Sequence, residues 1–160
     1  MDDFALRACL YTDLDRLLAV EEASFEDGPY SRFDFIYFLG RARDGFKIAE
    51  EGDRLLGYVI AMGEEGVGMI PSIAVSPEFR RRGIGEALME SAVDHLANYE
   101  RICLLVNPDN TAAISLYHKF SFIETGRIIR GYYRNGDDAV EMVRTRVELG
   151  NETTVEKGTE

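Results

Sequence analysis

The stretch Ile70-Pro-Ser-Ile-Ala-Val-Ser-Pro-Glu-Phe-Arg-Arg-Arg-Gly-Ile-Gly-Glu-Ala-Leu-Met-Glu90 changes its periodicity part-way along. Ile70, Ile73 and Val75 mark a β-branched apolar strand, Ser76-Pro77 a turn, and Arg80-x-x-Gly83-x-Gly85 the opening of an amphipathic helix. A helix start presents backbone N–H groups with no carbonyl partner, and glycines keep side chains off those donors. Arg80, Arg81 and Arg82 add positive charge. An anion such as a pyrophosphate is expected there, each charge at a helix end being worth about 0.3–1 kcal/mol. The spacing is neither the Gly-x-x-x-x-Gly-Lys-Ser/Thr of a P-loop nor Gly-x-Gly-x-x-Gly after a first strand. Taken alone, two glycines at a basic helix start are also a common structural device.

The flanking chain supplies the rest of a sheet. Downstream, Ile84, Leu88, Ser91, Ala92 and Leu96 form one stripe of the helix, with His95 beside it as a surface histidine. Arg101 to Val106 is a nearly continuous apolar run, which suits a buried strand parallel to the one before the helix. Asn107-Pro108-Asp109-Asn110 turns into a further helix, and strands over 122–129 and 139–147 are expected to pair across Asn135-Gly136. Upstream, 4–10 reads as a first strand. Thr12 with Asp15 reads as a helix cap, and Leu14, Leu17, Leu18 and Phe25 share one face of the helix that follows. Ser31 with Asp34 repeats the cap before a short helix carrying Phe33, Phe35, Ile36, Tyr37 and Phe38 on several sides. Such a helix either packs with one face and lines something with another, or is wholly buried. Segments 46–49 and 55–62 form a hairpin about Glu51-Gly52-Asp53, and Glu64-Glu65-Gly66 leads back to Ile70, giving an antiparallel meander. Pro71 cannot donate to a ladder, so pairing is interrupted there on one side.

These elements predict an α/β domain over residues 1–147, a mixed and mostly antiparallel seven-stranded sheet flanked by about four helices, followed by a disordered acidic tail over 148–160. A chain of 160 residues, 46% apolar, buries a core without metals or disulfides. The net charge of −11 argues against nucleic-acid binding by the general surface and favours a cationic substrate. Cys9 and Cys103 lie among apolar neighbours without Cys-x-x-Cys spacing, which suggests buried thiols in a reducing compartment and leaves a disulfide between them open. No apolar run has the length of a membrane helix, and Met1-Asp-Asp-Phe4 lacks the features of a signal peptide, so a cytoplasmic protein without a membrane partner is expected.

The last helix carries the most chemical information outside the opening stretch. Ala113, Leu116, Tyr117 and Phe120 recur at helical spacing, so on periodicity alone Tyr117 is a core aromatic. Asn110 and Tyr117 lie about two turns apart on roughly the same side, where a cofactor lying along that face meets both. Ser72-Ile-Ala-Val-Ser-Pro-x-Phe-Arg-Arg-Arg-Gly-Ile-Gly85 resembles the acetyl-CoA motif of the GNAT superfamily of N-acetyltransferases. Asn110-x-x-Ala113-x-x-Leu116-Tyr117 with Phe122, and Tyr132-Tyr133 with Gly136, Asp138-Ala139 and Met142, are similar to blocks of the branch that acts on protein N-termini, including the ribosomal-protein alanine acetyltransferases. Ser121 replaces a glycine usual in that block.

The resemblance implies transfer of an acetyl group from acetyl-CoA to an amine by direct attack on the thioester. Backbone groups of Ile73, Ala74 and Val75 would hold the pantetheine arm and the thioester. The N–H groups of Arg81, Arg82, Gly83, Ile84, Gly85 and Glu86 would hold the pyrophosphate, Asn110 the pantetheine, and Tyr117 would protonate the departing thiolate. In the bacterial members a glutamate proposed as general base stands where this chain has Leu105. Glu26 and Asp27, or a water chain ending on backbone carbonyls or on Tyr132, are the substitutes. Deprotonating an α-amine of pKa about 8 at neutral pH costs about 1.4 kcal/mol, against about 4.6 kcal/mol for a lysine near 10.4. The missing base therefore leans toward the N-terminal α-amine of a protein or peptide, held between Tyr132 and Tyr133 on one wall and the loop of Glu26 and Tyr30 on the other. A small-amine acetyltransferase and a non-catalytic acetyl-CoA-binding domain are the alternatives. The sequence leaves open an auxiliary subunit or a homodimer.

Overall fold

Alternating side chains put an apolar core on each face of a seven-stranded sheet. The computed structural model describes residues 3–25 and 28–146; the expected tail over 148–160 and the Glu26 and Asp27 pair lie outside them. The strands are β1 (Ala5–Ala8), β2 (Phe46–Glu51), β3 (Arg54–Glu64), β4 (Val67–Val75), β5 (Arg101–Val106), β6 (Ile123–Ile129) and β7 (Ala139–Thr145). Their order is β1-β2-β3-β4-β5-β7-β6, and only β4 and β5 are parallel neighbours. This is the mixed, mostly antiparallel sheet expected from the sequence.

Helices α1 (Leu14–Ser24) and α2 (Arg32–Ala42) pack on one face, and α3 (Ile84–His95) and α4 (Thr111–Lys119) on the other. Along β3, Tyr58, Ile60 and Met62 turn to the first core and Val59 and Ala61 to the second. Phe35 from α2 is fully buried between Phe46 and Tyr58, and each such side chain contributes about 1.5–3 kcal/mol of burial. The rest of α2 resolves the two expectations for its aromatics. Phe35 packs on the sheet, Tyr37 and Phe38 line a cavity, and Phe33 is exposed.

Ser31 and Asp34 form the expected capping box of α2, with Asp34 N donating to Ser31 Oγ. Thr12 does not cap α1. A 3-10 turn over Tyr11–Asp13 precedes that helix, and the buried Asp13 carboxylate accepts from Leu10 N, Arg7 and Arg16 instead. Those donors hold Asp13 at about 2, below the usual carboxylate range, with Arg7 the largest influence.

Two irregularities position the site. At Pro71, β4 carries two residues, Ile70 and Pro71, against Ala61 of β3, so the missing N–H falls in a bulge. On the other side, β4 pairs with β5 only at Gly68↔Ile102 and Met69↔Cys103 and separates beyond them. A gap opens between the two strands at the middle of the sheet. The chain between β6 and β7 is longer than a two-residue hairpin: Asn135-Gly136 sits in a turn closed by Gly136 N on Tyr133 O, with Gly136 at φ +93°. No disulfide joins the cysteines. Cys9 follows the edge strand β1, Cys103 lies on β5, and both are free thiols.

Candidate active site

Past Met69, the edge of β4 over Ile73, Ala74 and Val75 faces the gap, while their other edge pairs with Val59, Tyr58 and Gly57 of β3. A 3-10 turn at Pro77–Phe79 then carries the chain to Gly83, the N-cap of α3, at φ +79°. The first helical bond there runs from Ala87 N to Gly83 O at 3.1 Å. The amides of Ile84, Gly85 and Glu86 therefore point ahead of the helix without carbonyls of their own. A Cβ on Gly83 would meet nothing within 4 Å, so its left-handed backbone, rather than crowding by the protein, is what calls for glycine. Of the three arginines, Arg82 is engaged with Glu51 at 2.6 Å and Arg80 with the Val75 carbonyl at 3.1 Å, while Arg81 is exposed at φ +66°.

Helix α4 borders the same region. Asn110 is its N-cap, its Oδ1 accepting from Ala113 N at 3.2 Å. Tyr117 is buried beside Phe122, with ring centroids 6.2 Å apart. Its hydroxyl makes no hydrogen bond among the described residues, and burial, with a smaller effect of Tyr133, pushes its pKa well above the usual phenol range. A phenol so placed stays protonated and has a proton to donate.

On the opposite face, α1 and α2 pack on β2, β3 and β4, so Cys103, Leu105 and Glu141 beyond them stay half-buried and line a cavity of about 300 Å³. Tyr30, Tyr37 and Phe38 form one wall, Tyr132 and Arg127 the other, and Ile70 and Pro71 at the bulge lie between. Tyr30 donates its hydroxyl to Pro71 O at 3.3 Å. Tyr132 and Tyr133 stack edge to face at 5.0 Å, and Tyr133 is pushed up to about 12 by burial and then by Tyr132. A Cβ on Gly28 would meet the Arg134 side chain at 3.4 Å, so the loop before α2 runs close to the chain between β6 and β7. Tyr30, Tyr132 and Leu105 are thus brought together around one cavity.

Two carboxylates of this region escaped the sequence reading. Glu21 is 2% exposed; it accepts from Tyr30 N at 3.0 Å and from the Tyr58 hydroxyl at 2.5 Å. Burial raises it above the usual carboxylate range, against the lowering by those two donors. A signal existed, because Glu21 continues the stripe of Leu14, Leu17 and Leu18, and a charge on an apolar stripe marks a buried polar network. Glu141 is the other; it reads as an ordinary strand acid until its partner strand is known.

A gap between two parallel strands, a glycine turn with free amides at one end, and a cavity on the other face suit a thioester cofactor and a separate nucleophile. The pattern described as the Acetyltransferase (GNAT) family matches residues 11–122, from the 3-10 turn before α1 to just past α4. The chain belongs to the GNAT acetyltransferase family. Members of this family use acetyl-CoA. This GNAT acetyltransferase is similar to an N-alpha-acetyltransferase of Sulfurisphaera tokodaii, 31% identical, with 88% of this chain and 92% of that protein covered. It is also similar to the N-alpha-acetyltransferase of Saccharolobus solfataricus, 31% identical over 89% of this chain and 93% of that one. The solved structure of Ard1 from Thermoplasma volcanium has the same fold, with a TM-score of 0.86 at 23% identity, covering 92% of this chain and 100% of that one. No helix among the described residues is long and apolar enough to cross a membrane.

Proposed function

We propose that this acetyltransferase moves the acetyl group of acetyl-CoA onto the N-terminal α-amine of a polypeptide. The observation that carries the reading is the match, along nearly the whole of both chains, to proteins named for N-alpha acetylation. The cavity fits it. Its apolar floor takes a first side chain, and the Tyr30 and Tyr132 phenols at its walls offer hydroxyls to a peptide backbone without reading a whole sequence.

In this reading acetyl-CoA supplies the activated acetyl group. Backbone groups of Ile73, Ala74 and Val75 hold the acyl arm and offer donors to the developing oxyanion. Amides from Arg81 to Glu86 hold the pyrophosphate, Asn110 steadies the pantetheine, and Tyr117 gives its proton to the leaving sulfur. The walls carrying Tyr30, Tyr132 and Tyr133 align the acceptor. The two free thiols support a reducing, cytoplasmic setting.

The test is an acetylation assay on peptides with free or blocked N-termini, each with and without an internal lysine. Activity is expected only where the N-terminus is free. Equal activity on a blocked peptide carrying lysine overturns the reading.

A further inference from the structure

Leu105 on β5 and Glu141 on β7 are direct partners in an antiparallel ladder. Side chains directly opposite in such a ladder leave the sheet on the same face, with Cβ atoms about 4.5–5.5 Å apart. Both line the acceptor cavity. Among the described residues that line it, only Glu64 and Glu141 carry carboxylates. Glu64, at the end of β3, is 44% exposed and faces Arg41, whereas the Glu141 side chain is only 12% exposed.

Strand β6 is bent around Glu141. Glu124 pairs with Met142 and Ile128 with Val140, so Thr125, Gly126 and Arg127 all stand against Glu141, with Gly126 at φ +87° making the bend. The Thr125 hydroxyl donates to one carboxylate oxygen at 3.0 Å and Arg127 to the other at 3.3 Å. A carboxylate accepts about four hydrogen bonds, so about half its capacity remains for a donor in the cavity. An ammonium carries three donors and opposite charge.

We propose that Glu141 receives the acceptor's amine and takes its proton, the carboxylate that an amine nucleophile calls for being supplied from β7 rather than β5. This rests on the N-terminal acetylation reading. The ammonium loses one proton to Glu141, directly or across a water, and Glu141 passes it to solvent. The nitrogen lone pair forms the C–N bond at the thioester carbon, and the C–S bond breaks with its electrons on sulfur. Sulfur takes a proton from Tyr117, and the second proton leaving nitrogen replaces it. The groups that face Glu141 are Arg127 from β6, Cys103 and beyond it Arg101 from β5, Glu64 from β3, and the phenols of Tyr30, Tyr37 and Tyr132.

The experiment follows kcat/KM from pH 6 to 9.5 with the full chain, acetyl-CoA and a peptide of free N-terminus. Glu141→Gln is expected to lose about 100-fold near pH 6.5. The deficit should shrink toward pH 9, where an amine of pKa about 8 sheds its proton unaided. Glu141→Asp keeps a carboxylate and should recover about tenfold of that loss. Acetyl-CoA affinity by calorimetry should be unchanged in both variants. A Gln variant as active as wild type overturns the proposal and leaves the N-terminal reading standing. So does an Asp variant as impaired as Gln with a deficit independent of pH, which would make the carboxylate a brace for the bulge. A wild-type enzyme inert on free N-termini overturns the reading and this proposal together.

Discussion

The Glu21 carboxylate lies 2.5 Å from the Tyr58 hydroxyl, which in turn lies 2.7 Å from Ser72 Oγ. Its second oxygen accepts from Tyr30 N, and Tyr30 reaches Pro71 O. One buried acid thus ties helix α1, the loop before α2, strand β3 and the bulge of β4 into a single hydrogen-bonded unit beneath the acceptor cavity. A buried carboxylate without a cation is costly when ionised, so its presence argues for positioning rather than stability.

That cost has a sign. Burial holds the folded-state pKa of Glu21 above its unfolded value. Its favourable contribution is therefore complete below the unfolded pKa of about 4.3 and is lost as pH rises through the folded one. Glu21→Gln keeps an acceptor for Tyr30 N and carries no charge. Its melting temperature relative to wild type is expected to climb between pH 4 and 8, as read by thermal unfolding in a pH series; a difference constant with pH would count against a buried ionising group. Glu21→Ala leaves the Tyr30 amide without its acceptor, at about 1–3 kcal/mol, and should raise KM for the peptide more than KM for acetyl-CoA.

Tyr117 is tested by Tyr117→Phe, which removes only the hydroxyl from a buried ring. Loss of general acid help is expected to lower kcat by about 10²–10⁴-fold while acetyl-CoA affinity and melting temperature hold. Because burial raises the pKa of this phenol, no fall in activity on the basic side up to pH 10 should trace to it. An unchanged kcat with chemistry rate-limiting reduces Tyr117 to core packing.

Gly83 and Gly85 should respond differently. Gly83 holds φ +79°, so Gly83→Val is expected to cost about 1–2 kcal/mol of stability through the backbone and to weaken acetyl-CoA binding as the α3 amides turn away. A Cβ on Gly85 would sit 3.5 Å from Leu116, an ordinary contact, so Gly85→Ala should fold normally and lose affinity only by standing before a ligand. Calorimetry with acetyl-CoA on the folded variants separates the two; normal binding by both would remove the turn from the site.

The strands, the helices, the parallel crossover after Pro77 and the cap at Ser31 were legible because each depends on side chains a few residues apart. So were the glycine turn and the Asn110 and Tyr117 pair, whose spacing on one helix is set by 3.6 residues per turn. Thr12 was misread for a related reason: Asp13 outcompetes it once Arg7, from the edge strand, folds back against it. The amino-acid sequence by itself determined the element order, the sheet class and the family's cofactor motif. Tertiary structure alone decided that β7 lies between β5 and β6, which sets Glu141 opposite Leu105, and that Glu21 ties down the loop of Tyr30. Strand register and a buried acid's partners come from contacts between residues far apart in the chain, and no local periodicity encodes which strand a given strand will neighbour.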